Sequence, residues 1–126
     1  MTFSGRGDGD VRVLVVEDSE DQRELLRANF ERAGCAVTTV SNAEDAISSY
    51  LVDAPELAVI DLILPGMDGW QLIEQIRQDV PDCAIVATSV LDVGTFPEAT
   101  AILPKPFTKK QIIAVLRECV PRWGTP

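Results

Sequence analysis

Short β-branched apolar runs alternate along this 126-residue chain with stretches whose apolar residues recur at helical spacing, and that alternation leaves few architectures open. Val11–Val16 reads VRVLVV, as a strand covered on both faces of a parallel sheet reads. Leu25, Leu26, Phe30 and Ala33 then follow a helical period until Gly34 stops it. Ala36–Val40 is a predicted second strand. Asn42–Leu51 is a predicted helix with Ala43, Ala46, Ile47 and Tyr50 on one side, ended by Asp53-Ala54-Pro55. Leu57–Ile60 is a third strand running into Asp61. After a turn marked by Pro65, Gly66 and Gly69, Trp70, Leu72, Ile73 and Ile76 form a stripe that ends near Pro81. Ala84–Ala87, ending at Thr88, and the weaker Ala101–Leu103 complete the strands. Thr108 and Gln111 make a capping box for a last helix striped by Ile112, Val115, Leu116 and Cys119. The pattern predicts one α/β domain over residues 11–120, a parallel sheet with helices on both faces. A disordered tail over 1–10 and a short tail over 121–126 flank it.

Charge and composition narrow the function. Eleven basic residues against twenty acidic ones give a net charge of −9, which disfavours nucleic acid and anionic membrane surfaces as partners. The chain has no histidine, so imidazole acid–base chemistry, His-ligated zinc and serine–histidine triads are excluded together. Cys35, Cys83 and Cys119 are odd in number and far apart, which reads as buried free thiols in a reducing cytoplasm. No apolar run approaches a membrane span, and Met1 to Asp10 lacks the apolar core of a signal peptide. The Arg6-Gly7-Asp8 tripeptide is a chance match to an adhesion motif.

The reactive residues fall at the C-terminal ends of the strands. Glu17 and Asp18 follow the first, Asp61 ends the third, Thr88 the fourth, and Lys105 follows the fifth. Open α/β sheets bind ligands at that edge, where the strand order reverses. In a flavodoxin-like, doubly wound sheet of order 2-1-3-4-5, strands one and three are neighbours there, so Glu17, Asp18 and Asp61 should converge. Each pair of such carboxylates repels by up to about 4 kcal/mol at contact distance and an effective dielectric near 20. Lys105 alone cannot neutralise three. A divalent cation of Mg²⁺ type can, and could bridge a carboxylate to a phosphoryl oxygen, with Lys105 and the Thr88 hydroxyl taking others and Asp61 as nucleophile. Singly, each residue has a plainer reading. Helix-dipole charges account for Glu20 and Asp21, Thr88 could be an ordinary strand residue, and Lys105 a solvated loop lysine. The conjunction at four strand ends favours the chemistry.

Val-Val-Glu-Asp-Ser at 15–19, Asp61-Leu-Ile-Leu-Pro-Gly-Met-Asp-Gly at 61–69, Ala-Thr-Ser at 87–89 and Leu-Pro-Lys-Pro-Phe at 103–107 together resemble the receiver domain of two-component response regulators. The resemblance spans Val11 to about Val120. It implies Asp61 as phosphoacceptor, Asp18 as a direct Mg²⁺ ligand, Glu17 acting through water and the Ile63 backbone carbonyl completing the set. It also implies Thr88 as switch hydroxyl and Lys105 as phosphate-binding lysine, with Mg²⁺-dependent self-phosphorylation at Asp61. The phosphoryl group would come from a histidine kinase or histidine phosphotransfer protein; without a histidine here, that donor lies on another chain or is a small phosphodonor.

The chain departs from the family pattern in two places. Ile102 stands where an aromatic switch residue is usual, and only sixteen residues separate Thr88 from Lys105. With Gly94 and Pro97 in that interval, the fourth helix is expected to be missing or about one turn long. Ile63 and Val90 flank the path of the hydrolytic water in this family, and both are apolar, so slow self-dephosphorylation is expected. A flavin-binding relative is discounted because Glu-Asp-Ser-Glu-Asp would repel a flavin phosphate. A Rossmann domain is excluded because no GxGxxG follows strand one. A haloacid-dehalogenase-type phosphatase would need an aspartate at Ile63. The remaining alternative is a pseudo-receiver, a phosphorylation-independent protein-interaction module. Nothing after Val120 is long enough for an output domain, so the expectation is a stand-alone receiver contacting an unknown downstream protein. Trp123 is expected to anchor the tail by packing.

Overall fold

Strand after strand, the alternation of side chains explains how a single sheet carries two cores. In the computed structural model, which describes residues 10–89 and 101–124, the elements are β1 (Arg12–Val16), α1 (Glu20–Arg32), β2 (Ala36–Val40), α2 (Ala43–Val52), β3 (Leu57–Asp61), α3 (Gly69–Asp79), β4 (Ala84–Ser89), β5 (Ala101–Pro104) and α4 (Lys109–Cys119). The five strands are parallel in the order β2-β1-β3-β4-β5, as the sequence predicts. Successive strand residues point to opposite faces. Leu14, Val16, Ala58 and Ile60 therefore meet Ala43, Ala46 and Tyr50 of α2 and Leu72, Ile73 and Ile76 of α3 on one face. Val13, Val15, Leu57, Val59, Val86 and Leu103 meet Leu26 and Phe30 of α1 and Ile112, Val115 and Leu116 of α4 on the other.

Local signals set the helix ends. Asn42 caps α2 rather than joining it, accepting the Asp45 N–H at 2.8 Å. The Thr108–Gln111 capping box forms as predicted, and a second one, Asp68–Gln71, opens α3. Gly34 takes a φ of +92° where α1 stops, a conformation that favours glycine. Two predicted core positions are corrected. Leu25 is 47% and Trp70 36% exposed, because each lies at the margin of its helix's apolar stripe. Thr88 lies inside β4 rather than at its end, and β5 runs one residue past Leu103 to Pro104. The expected disordered lead-in over 1–10 lies outside the described residues except for Asp10, whose carbonyl is bonded by Arg122, and the expected missing or one-turn fourth helix falls on residues 90–100, also outside them.

The pole opposite the strands' C-terminal ends is closed by a clasp. Arg122, just past α4, donates to both carboxylate oxygens of Glu56 at 2.6 and 2.7 Å and to the Asp10 carbonyl at 3.0 Å. Arg12 adds ion pairs to Glu56 and Asp53, and the guanidiniums beside Glu56 hold its carboxyl below the usual range. Trp123 packs against the α1–α4 core, donates its indole N–H to the Ala33 carbonyl at 2.9 Å and lies under the Arg117 guanidinium, so it anchors the end of the chain as expected. Cys35 and Cys83 are buried free thiols whose pKa values burial pushes up to about 11 and about 12; Cys119 is half-buried. Among the described residues no helix is long and apolar enough to cross a membrane.

Candidate functional site

The parallel register delivers the predicted residues to one edge. Glu17 extends β1 by one step, its N–H bonded to the Val40 carbonyl at 3.1 Å, and its side chain is 1% exposed. Asp61 closes β3 opposite Thr88 of β4, and the Leu62 N–H bonds the Thr88 carbonyl at 3.1 Å. Lys105 follows β5 at once, its N–H reaching the Ser89 carbonyl at 3.3 Å. The sheet, rather than any loop, thus sets the spacing of these groups.

Lys105 is the centre of the constellation. Its ammonium donates to Glu17 Oε1 at 2.6 Å and to Asp61 Oδ2 at 3.0 Å. Burial pulls its pKa down, but the two carboxylates outweigh burial and hold it above the usual lysine range. Glu17 shifts up instead. Burial dominates there, against the lowering effect of Lys105 and of the Ser19 N–H, which donates to Oε2 at 3.1 Å. Asp61 keeps its second oxygen on the Ile63 N–H at 2.9 Å. Asp18 is exposed, and its carboxylate has no hydrogen-bond or ion-pair partner among the described residues. Glu17, Asp18 and Asp61 each offer an oxygen, and these lie within 4.8 Å of one another, a set that could hold an oxygen-loving divalent cation.

Two further features complete the site. The Thr88 hydroxyl is fully buried and has no hydrogen-bond partner among the described residues. Gly69, the first residue of α3, lies so close to β3 that an added Cβ would meet the Asp61 carbonyl oxygen at 2.3 Å and Leu62 Cα at 2.6 Å. The Gly69 N–H bonds the Leu62 carbonyl at 3.1 Å across this contact.

All five predicted side chains, Glu17, Asp18, Asp61, Thr88 and Lys105, therefore gather at one edge. The Ile63 side chain is 58% exposed beside them, and Ile102 lies half-buried on β5 in register with Ala87. Val90 lies outside the described residues. Sequence reasoning missed Arg23, whose Nη1 reaches the carbonyls of Glu17 and Asp18 at 3.0 and 3.3 Å. No spacing rule flags it, since a long side chain reaching back five and six residues has no helical periodicity. It also missed the close approach at Gly69, which reads in sequence only as a turn.

Residues 13–117 match the family described as response regulator receiver domain. The transcriptional regulatory protein CseB of Streptomyces coelicolor is 32% identical over 117 residues, covering 89% of this chain and 50% of that protein. The alkaline phosphatase synthesis transcriptional regulatory protein PhoP of Bacillus subtilis is 31% identical, over 88% of this chain and 49% of that protein. The chain thus spans about half the length of these curated relatives. A solved sensor protein from Polaromonas sp. JS666 superposes with a TM-score of 0.78 at 28% identity, covering 90% of this chain and 98% of that one. With its strand order and its residues 13–117 both matching, the chain belongs to the receiver domain family of two-component response regulators.

Proposed function

We propose that Asp61 accepts a phosphoryl group from a phosphohistidine on a kinase or phosphotransfer protein, in a reaction that depends on Mg²⁺, and that the phosphorylated domain signals by contact with a downstream protein. The chain has no histidine of its own, which puts the donor elsewhere. An Asp61 carboxylate oxygen attacks phosphorus, the P–O bond forms as the P–N bond breaks, and the imidazole nitrogen leaves with the electron pair. Asp61 is 5% exposed, with one oxygen on Lys105 and the other on the Ile63 N–H, so the nucleophile is held in one orientation.

The observation that carries this reading is the Thr88 hydroxyl. A buried hydroxyl without a partner costs about 1–3 kcal/mol, and this one, unpartnered among the described residues, sits in register beside Asp61. Such a group suits an incoming phosphoryl oxygen, with the Lys105 ammonium taking another. The donor set fits Mg²⁺: Asp18 and Asp61 would hold it, Glu17 acting through water and the Ile63 carbonyl completing the set. A bound Mg²⁺ supplies the positive charge that offsets the carboxylates and the transferred group. A pseudo-receiver would be marked by loss of one of these groups, and none is lost. The two relatives described are named as transcriptional regulators, but for this domain a net charge of −9 favours protein partners over a phosphate backbone.

Incubation with Mg²⁺ and acetyl phosphate should add one phosphoryl group by intact mass, and Asp61→Asn should abolish the adduct. No adduct with acetyl phosphate or with a phosphohistidine donor, despite demonstrable cation binding, would reject the reading.

Lifetime follows from Ile63. An apolar, half-exposed side chain two residues after the phosphoacceptor offers no hydrogen bond to orient an attacking water. Ile63→Asn is expected to speed loss of the phosphoryl group by about tenfold or more, followed as decay of the mass adduct after acetyl phosphate is removed. An unchanged rate would show that this side chain does not control hydrolysis.

A further inference from the structure

Asp18 faces a problem that its two acidic neighbours do not. Glu17 is held at both oxygens, by Lys105 and the Ser19 N–H, and Asp61 at both, by Lys105 and the Ile63 N–H. The Asp18 carboxylate is exposed and has no partner among the described residues, yet it lies within the same 4.8 Å cluster. What places it must act on its backbone. At this corner the chain leaves the sheet after the Glu17 N–H and enters α1 at Ser19, which caps the helix. The carbonyls of Glu17 and Asp18 fall between the two hydrogen-bonding systems. The half-buried Arg23 spans that gap, its Nη1 on both carbonyls, while its own N–H makes a helical bond to the Ser19 carbonyl at 2.9 Å. One side chain thus ties the start of α1 to the end of β1 on either side of the peptide unit that carries Asp18.

We propose that Arg23 is a positioning residue for the cation site, bracing the Glu17–Asp18 backbone so that the Asp18 carboxylate converges with Asp61. The proposal rests on the functional reading above. It also carries a sign that distinguishes it from simple electrostatics. A guanidinium near three carboxylates repels an incoming divalent cation, so if its charge were all that mattered, removing it would tighten binding. If the brace matters more, removing it weakens binding. Hydrogen-bonding partners that orient metal ligands typically carry 10–100-fold in metal affinity.

The test is a calorimetric titration of Mg²⁺, with Mn²⁺ repeated by electron paramagnetic resonance, into the wild type, Arg23→Gln and Arg23→Lys. Thermal melts without metal accompany each. Arg23→Gln is expected to lose affinity by about tenfold while its metal-free melt stays close to wild type, and Arg23→Lys, which keeps a charged donor, to recover part of that loss. Unchanged or tighter binding in Arg23→Gln overturns the brace while leaving the receiver chemistry standing. Loss of affinity only in proportion to a lowered melt in both variants also overturns it, as a merely structural role. No binding to the wild type would overturn both this proposal and the cation site it serves.

Discussion

Gly69→Ala is expected to lower stability by about 3 kcal/mol, the upper end of what overpacking costs, and to weaken cation binding at the same time. The usual effect of this exchange in a helix is a gain of about 1 kcal/mol. Here the clash wins. The new Cβ would lie 2.3 Å from a backbone oxygen of Asp61 and 2.6 Å from Leu62 Cα, and neither can swing aside as a flexible side chain could. Retreat of α3 is opposed by the Gly69 N–H bond to the Leu62 carbonyl and by the burial of Leu72, Ile73 and Ile76. The strain therefore passes into the end of β3, where Asp61, the proposed phosphoacceptor, sits. Urea unfolding gives the stability change. Gly34→Ala serves as the comparison, since nothing lies within 4 Å of a Cβ there and only its φ is strained, a cost of about 1–2 kcal/mol. A Gly69→Ala midpoint at or above that of Gly34→Ala would show that the helix can shift freely.

Thr88→Val is expected to act in the opposite direction on stability and to be severe for function. The valine keeps the branched shape in a fully buried position and removes a hydroxyl that has no partner among the described residues. Relief of that unmade hydrogen bond should add about 1 kcal/mol or more to the unphosphorylated domain. The melting temperature should rise by about 4 °C. Formation of the Asp61 adduct from acetyl phosphate should fall by about 100-fold, as it does when one preorganised donor to developing charge is lost. Thr88→Ala would lose the same hydroxyl and also leave a small void, so it should melt below Thr88→Val. A Thr88→Val variant that melts lower than wild type would mean that the hydroxyl is satisfied in the resting domain.

The site was legible because its residues are tied to strand ends, and strand ends are the sharpest boundaries in a parallel α/β sequence. Val-Val-Glu-Asp and Val-Ile-Asp each show an apolar run giving way to acid within one residue. The fold was legible for the same reason, with two exceptions that share a cause. Leu25 and Trp70 satisfy a helical period, but a period does not reveal how wide the buried stripe is, and both fall at its margin. The Asp68–Gln71 box is written in the spacing, but Pro65, Gly66 and Gly69 around it read first as a turn. The roles of Arg23 and Gly69 could not be read at all. One depends on where a long side chain folds back, the other on how closely two elements approach, and each is a property of packing that pattern does not encode.

The Arg122 clasp has a mechanical consequence. It joins Asp10 to a residue 112 positions later, with Glu56 at the foot of β3 as the shared post. A tensile load applied between Asp10 and Gly124 is borne first by those charged contacts and by the Trp123 anchor, at the pole away from Asp61. The strand ends that hold Lys105 against Glu17 and Asp61 lie at the other pole, away from the contacts that meet the load first. A pull between Asp10 and Gly124 thus meets a charged latch before it meets the candidate site.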